Sequence, residues 1–305
     1  MSFVVEVKNL TKTYGSKKAV DNISFSIMEG EIFGIVGPNG AGKTTTLECI
    51  EGLRTPDAGS IRVLDFNPLT DRRKMYEYIG VQLQETSYPD RLKVWEICRL
   101  FSSFYKNPIP YKELLHTFEL DDKANNYITK LSGGEKQKLS IVLSLIPNPK
   151  IVFLDELTTG LDPAARRNMW KYIEKLREKG ITVCLTSHYM EEVEYLCDRV
   201  AIINQGKIVA MDSVNNLIKS FGSATEIVFT SERVDFEKLE KLKNVKKVEK
   251  HNGEVHVLGE GNNILSEVID FLQKEGIKYS DLRVKSSGLE DVFLKLTGSE
   301  FEKED

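Results

Sequence analysis

The 305-residue sequence predicts an α/β fold with a mostly parallel central sheet, and three observations carry that expectation. Ile151-Val-Phe-Leu154, Thr182-Val-Cys-Leu-Thr186 and Arg199-Val-Ala-Ile-Ile203 are short, β-branched apolar runs, as in strands covered on both faces. Between the first two, residues 164–179 place Trp170, Ile173 and Leu176 at helical spacing and stop at Gly180. Third, the apolar run 31–36 enters a glycine-rich loop, Gly37-Pro38-Asn39-Gly40-Ala41-Gly42-Lys43-Thr44, and a helical stretch over 44–53 leaves it. A strand, a glycine loop and a helix in succession point several backbone N–H groups at one anion, which makes residues 37–44 a phosphate-binding loop.

The flanking elements follow in order. Val4–Leu10 and Ala19–Ile27 read as a hairpin ahead of the loop, and Val200–Asn204 with Lys207–Met211 as another, turning at Gln205-Gly206. Over 76–121 the texture becomes helical and aromatic, broken by Pro89, Pro108 and Pro110, which predicts an inserted helical subdomain at about residues 85–145. A boundary falls in 213–224, where Asn215-Asn216 and Phe221-Gly-Ser-Ala224 interrupt the pattern. Beyond it come strand 225–230, helix 235–242, strand 245–251, an Asn252-Gly253 turn, strand 254–259, helix 264–274 and strand 278–285. This β-α-β-β-α-β order predicts a small α+β domain of the ferredoxin-like, split βαβ kind. A helix over 289–296 closes it, and the acidic stretch Glu300–Asp305 reads as a frayed tail. The expected division is thus 1–220, 221–298 and a disordered 299–305.

With 42 basic and 46 acidic residues the net charge is −4, which argues against a nucleic-acid partner held by a basic surface. No apolar run reaches bilayer length, since the run 139–146 is stopped by Pro147, and the first residues lack the basic and apolar blocks of a signal peptide. Cys49, Cys98, Cys184 and Cys197 are scattered without metal spacing and read as reduced, buried thiols. A soluble intracellular chain is expected.

In the loop, Gly37, Gly40 and Gly42 let the backbone curl, Lys43 supplies a charge for terminal phosphates, and the Thr44 hydroxyl suits Mg²⁺. The four apolar residues 151–154 run into Asp155 and Glu156. That puts Asp155 at the exposed end of a buried strand, where a phosphate-bound Mg²⁺ would lie, with Glu156 beside it to orient or deprotonate water. A nucleoside triphosphate is the expected substrate.

These residues, with Leu131-Ser132-Gly133-Gly134-Glu135, make the sequence resemble the ATP-binding cassette family, the ATPase subunits of ABC transporters, over about residues 3–215. The resemblance implies a P-loop NTPase core with flanking antiparallel β-structure, using ATP and Mg²⁺. It makes residues 37–44 the Walker A motif, with Thr45 following, and 151–155 the Walker B motif. Glu156 becomes the catalytic glutamate, and 131–135 the signature that gives the family its name. Tyr14 matches the aromatic that stacks on adenine, although it would equally cover a hairpin. Gln84 falls at the position that reaches Mg²⁺, with Gln82 two residues away as the other register. Gly160-Leu161-Asp162 resembles the D-loop, and His188 the switch histidine facing the γ-phosphate. Leu157 departs from the usual proline and Lys138 from a common arginine.

The resemblance further implies head-to-tail dimerisation, in which each ATP lies between one chain's Walker A loop and the other's Ser132–Glu135. A second cassette, with a copy of this chain as the simplest choice, and separately encoded integral membrane permease subunits are the implied partners. The implied place is the cytoplasmic face of the cell membrane. Part of 84–95, with Tyr88, Pro89 and Trp95, would form the groove for a permease helix or else be subdomain core. The ending 287–297 is similar to that of bacterial drug, antibiotic and lipid exporter cassettes. A soluble ABC ATPase acting on ribosomes or DNA is the alternative. It is disfavoured because the chain carries one cassette and no long coiled-coil insertion.

Overall fold

The structure, a computed structural model, describes residues 2–82, 88–89, 91–221, 225–231, 234–251, 253–260 and 263–298. Two compact units divide between Ser213 and Val214. The first runs β1 (Phe3–Tyr14), β2 (Lys17–Met28), β3 (Ile32–Val36), α1 (Lys43–Ile50), β4 (Ala58–Val63), α2 (Arg72–Met75) and β5 (Ile79–Gln82). It continues with α3 (Val94–Ser102), α4 (Tyr111–Thr117), α5 (Gly133–Leu145), β6 (Ile151–Asp155), α6 (Pro163–Glu178), β7 (Thr182–Ser187), α7 (Met190–Leu196), β8 (Arg199–Asn204) and β9 (Lys207–Ser213).

Two sheets form this unit. β2-β1-β4 is antiparallel, and β5-β6-β7-β3-β8-β9 is parallel except for β9. All residues of β3, β6 and β7 are buried, which is why their sequences are unbroken apolar runs rather than alternating ones. The antiparallel sheet and α1 share one core with the large sheet, built from Val5, Leu10, Ile27, Phe33, Leu47 and Phe153. Phe25 and Phe33 stack across the two sheets with ring centroids 5.5 Å apart. The β8–β9 hairpin turns through Gln205 and Gly206 with φ of 49° and 78°, the two positive values a type I′ turn needs. The first hairpin is longer than the sequence pattern predicts, because β1 and β2 pair out to Tyr14 and Lys17 at the exposed tip.

α3, α4 and α5 form the expected helical insertion, with Val94, Ile97, Leu114 and Leu139 buried among them. No helix among the described residues is long and apolar enough to cross a membrane. All four cysteines are buried and free.

The second unit contains α8 (Val214–Phe221), β10 (Thr225–Thr230), α9 (Phe236–Glu240), β11 (Val245–His251), β12 (Glu254–Gly259), α10 (Ile264–Lys274), β13 (Ser280–Ser286) and α11 (Leu289–Thr297). Its sheet has the order β11-β12-β10-β13 with every neighbouring pair antiparallel. That is the split βαβ order, with each of the two helices crossing over one intervening strand. Ile227, Phe229, Val255, Val257, Val268 and Leu272 make its core. α9 is shorter than the helical pattern suggests, running from the Asp235 cap only to Glu240. Asn252 lies outside the described residues, while Gly253 has a φ of 89°.

Leu272 is fully buried, so Leu272→Ala is expected to destabilise the second unit by about 2–5 kcal/mol. Urea unfolding followed by tyrosine fluorescence would read it; an unchanged midpoint would contradict this core assignment.

Candidate functional site

Parallel pairing carries the carboxyl ends of β3, β5, β6 and β7 to one edge of the large sheet. Ligands in open α/β sheets bind at such an edge. The residues leaving it are the Gly37–Thr44 loop, Gln82, Asp155 with Glu156, and Ser187 with His188.

The phosphate-binding loop needs its glycines for reasons internal to the chain. A Cβ on Gly37 would lie 2.2 Å from the Ile203 carbonyl oxygen. A Cβ on Gly42, with φ 108°, would lie 2.2 Å from that of Ala19, and Gly40 has φ 75°. Asn39 and Gly40 are exposed, Pro38, Thr44 and Thr45 half-buried, and the Ala41 carbonyl is tied to the Gly206 N–H at 2.9 Å. The Lys43 ammonium is buried, donates to the Gly37 carbonyl at 2.9 Å and lies 3.7 Å from Glu156 Oε1. Desolvation pulls its pKa down, and the Glu156 and Asp155 charges oppose that.

The two carboxylates are held very differently. Asp155 is 5% exposed, its N–H donates to Gln82 Oε1 at 3.1 Å, and its Oδ1 accepts a short bond from the Thr186 hydroxyl. Burial raises its pKa, the Glu156 charge adds to this, and bonds from Thr186 and Thr44 oppose it. Glu156 sits in the left-handed region with φ 48°, an unusual conformation for a glutamate. Its N–H donates to the Thr186 hydroxyl at 3.0 Å and carbonyl at 3.2 Å, which holds the turn. Its carboxylate lies 3.6 Å from His188 Nδ1 and, with Lys43 on the other side, is kept below the usual carboxylate range. Leu157, at the usual proline position, is buried.

The remaining candidates fall in three places. Tyr14 sits at the tip of the first hairpin, 41% exposed, with Lys12 Nζ and Arg54 Cζ 5.6 and 5.5 Å from its ring centroid. Ser132 caps α5, accepting the Glu135 N–H at 3.3 Å while Glu135 accepts the Ser132 N–H at 2.8 Å. Asp162 caps α6, accepting the Ala164 and Ala165 N–H groups at 3.0 Å with Pro163 at the first helical position. Gln84 lies outside the described residues, whereas Gln82 is committed to the Asp155 amide.

The signature glycines differ from the loop glycines. Neither Gly133 nor Gly134 has a positive φ, and a Cβ on either would meet nothing nearer than 4.0 Å, at Leu161 and Ala165. Nothing within this chain requires glycine there. A further cavity of about 250 Å³ opens between the sheet edge and the helical insertion, lined by Leu53, Arg72, Tyr76, Tyr88, Phe101 and Tyr105. Tyr88 lines this cavity, while Pro89 is exposed. Sequence reasoning missed Thr186, one of three hydroxyl residues on β7, and Lys17, whose Nζ lies 3.8 Å from the Cβ position of Gly40.

The sequence pattern of the family described as "ABC transporter" matches residues 20–159. The linearmycin resistance ATP-binding protein LnrL of Bacillus subtilis is 33% identical over 97% of this chain and 98% of its own length. The Nod factor export ATP-binding protein I of Mesorhizobium japonicum is 34% identical over 98% of this chain and 88% of its own. Among solved structures, the dimeric post-hydrolysis state of the cassette MJ0796 with ADP and Pi aligns with a TM-score of 0.62 and 28% identity. It covers 68% of this chain and 98% of that one. The sequence relatives therefore extend through the second unit.

Glu51, at the carboxyl end of α1, is 1% exposed and its Oε1 has no hydrogen-bond partner among the described residues. Burial, with the Asp155 and Glu48 charges, pushes its pKa from 4.5 up to about 9. The folded chain holds this proton more tightly than the unfolded one. Its stabilising contribution is therefore complete below 4.5 and is lost as pH rises towards about 9. Glu51→Gln, neutral at every pH, is expected to match the wild type near pH ~4.5 and exceed it by on the order of 3 kcal/mol at pH ~7. Urea midpoints across that range would check this; a pH-independent difference would contradict it.

Proposed function

The chain belongs to the ABC transporter family, and on that premise we propose that it is the ATP-binding and ATP-hydrolysing subunit of a bacterial exporter that drives a separate membrane permease. The observation that carries the hydrolytic reading is the convergence of Lys43, Asp155, Glu156 and His188 at one sheet edge. The names of the relatives, resistance and export proteins, support the direction of transport.

In this reading the loop N–H groups and Lys43 hold the β- and γ-phosphates, and the open face of Tyr14 receives the adenine. Thr44 and Asp155 offer neighbouring hard oxygen donors, a set that fits Mg²⁺ held jointly with phosphate oxygens. Mg²⁺, when bound, neutralises charge on those oxygens. Gln84 is the further proposed ligand. Glu156 accepts the proton of the attacking water, its ionised state favoured by His188 and Lys43, and His188 faces the γ-phosphate.

Head-to-tail pairing accounts for the signature. With no requirement for glycine at 133 and 134 among the described residues, the surface at the amino end of the thirteen-residue helix α5 suits a phosphate held by a second copy. Ser132, Glu135 and Asp162 contribute by holding those helix starts in place. The groove beside Tyr76, Tyr88 and Phe101 is the proposed seat of a permease helix, at the cytoplasmic face of the membrane.

Glu156→Gln is expected to slow ATP turnover by about 10²–10⁴-fold and to accumulate an ATP-bound dimer, read by light scattering after gel filtration. Turnover near the wild-type rate would remove Glu156 from its role. The same variant, purified with ATP from detergent-solubilised membranes of its host, is expected to bring a polytopic membrane protein in stoichiometric yield. Recovery of ribosomal or DNA-bound partners alone would replace the exporter reading.

A further inference from the structure

The loop that carries His188 is held from behind by groups that take no part in the chemistry described so far. Tyr189 lies against the His188 imidazole with ring centroids 4.0 Å apart. On the tyrosine ring lies the Arg166 guanidinium, its Cζ 3.4 Å from the centroid, the distance of direct stacking contact. Arg166 also reaches the Leu161 carbonyl with Nη2 at 3.5 Å, so one side chain of α6 joins the Gly160–Asp162 turn to the tyrosine.

The backbone of the same loop is clamped independently. The Tyr189 N–H donates to Ser187 Oγ at 3.0 Å, and the Ser187 hydroxyl donates a short bond to Glu192. Glu192 is 3% exposed and also accepts the Trp170 indole N–H at 3.0 Å. The Arg166 charge acts favourably on this buried carboxylate. The loop backbone is thus fixed through Ser187 and Glu192, while the Tyr189 ring lies against the imidazole at its tip.

We propose that Arg166 is a positioning residue for His188, pressing the Tyr189 ring against the imidazole and tying that pair to the Leu161 carbonyl. The inference rests on the reading of His188 as a γ-phosphate contact. An imidazole that must stay 3.6 Å from Glu156 gains from a wall that removes its other rotamers, and misplacement on the scale of 1 Å costs up to about 10²-fold in rate. Lysine would not substitute, since it has no planar face to lay on the ring.

The test compares steady-state hydrolysis and equilibrium ATP binding in the full chain for Arg166→Ala, Arg166→Lys, Tyr189→Leu and Tyr189→Phe. Arg166→Ala, Arg166→Lys and Tyr189→Leu are expected to lower kcat about 10- to 100-fold with the Kd for ATP within about twofold of wild type. Tyr189→Phe, which keeps the ring, restores most of the rate lost in Tyr189→Leu. Should Arg166→Ala melt early, the two Tyr189 variants carry the comparison. A double-mutant cycle supplies the readout that a merely structural role would not move. Measured by single turnover, Arg166→Ala adds no further loss in a His188→Ala background. Equal losses in both backgrounds, or an unchanged kcat in Arg166→Ala, would overturn the proposal. His188→Ala turning over at the wild-type rate would overturn the reading beneath it as well, and so separates the two failures.

Discussion

One hydroxyl group organises the catalytic edge. The Thr186 Oγ donates to Asp155 and accepts the Glu156 amide, so a side chain of β7 fixes both the direction of one carboxylate and the turn that presents the next. The second bond, with the one from the same amide to the Thr186 carbonyl, helps hold Glu156 at φ 48° against the preference of its backbone for negative φ. Gln82 completes the arrangement from the other side by accepting the Asp155 amide. These cross-strand bonds exist only because β5, β6 and β7 run parallel and end together, and that register is specified by strands buried on both faces. Core packing thereby sets the geometry of the candidate site.

The glycines divide into two physical kinds. Those at 37 and 42 are required by carbonyl oxygens that occupy the space of a Cβ, and by the φ of 108° at Gly42. Those at 133 and 134 meet no such demand inside the chain. The contrast separates what the fold asks of a residue from what an external contact asks of it, and neither composition nor spacing carries that distinction.

Much of the fold was legible because its causes are local or periodic. Ile151–Leu154 reads as a buried strand since every residue of it is covered, and Gln205-Gly206 as a tight turn since both need positive φ. The phosphate-binding loop is legible for the same reason: its backbone shape restricts which residues fit. Thr186 was not legible, because a threonine in a β-branched run is an ordinary strand former until its neighbour across the sheet is known. Glu51 was hidden differently, as a carboxylate beside Gly52 at a helix end looks like surface. Only the tertiary packing reveals it as buried and unpartnered. Ser132 and Asp162 were legible as motif members, but the structure shows each also spending its side chain on a helix start. Gln84 lies outside the described residues, and its place in the site stays with the proposal.

The room for a Cβ at Gly134 has a genetic consequence. Alanine there, whose Cβ would meet nothing nearer than 4.0 Å, would leave folding and the chain's own phosphate-binding loop intact, so the altered protein would persist in the cell. In the head-to-tail pair proposed above, the added group would crowd the nucleotide site built from the normal copy's loop. Such an allele would behave as dominant over the wild type, whereas a substitution at Gly37, which collides with the Ile203 carbonyl, would be recessive through loss of the folded chain.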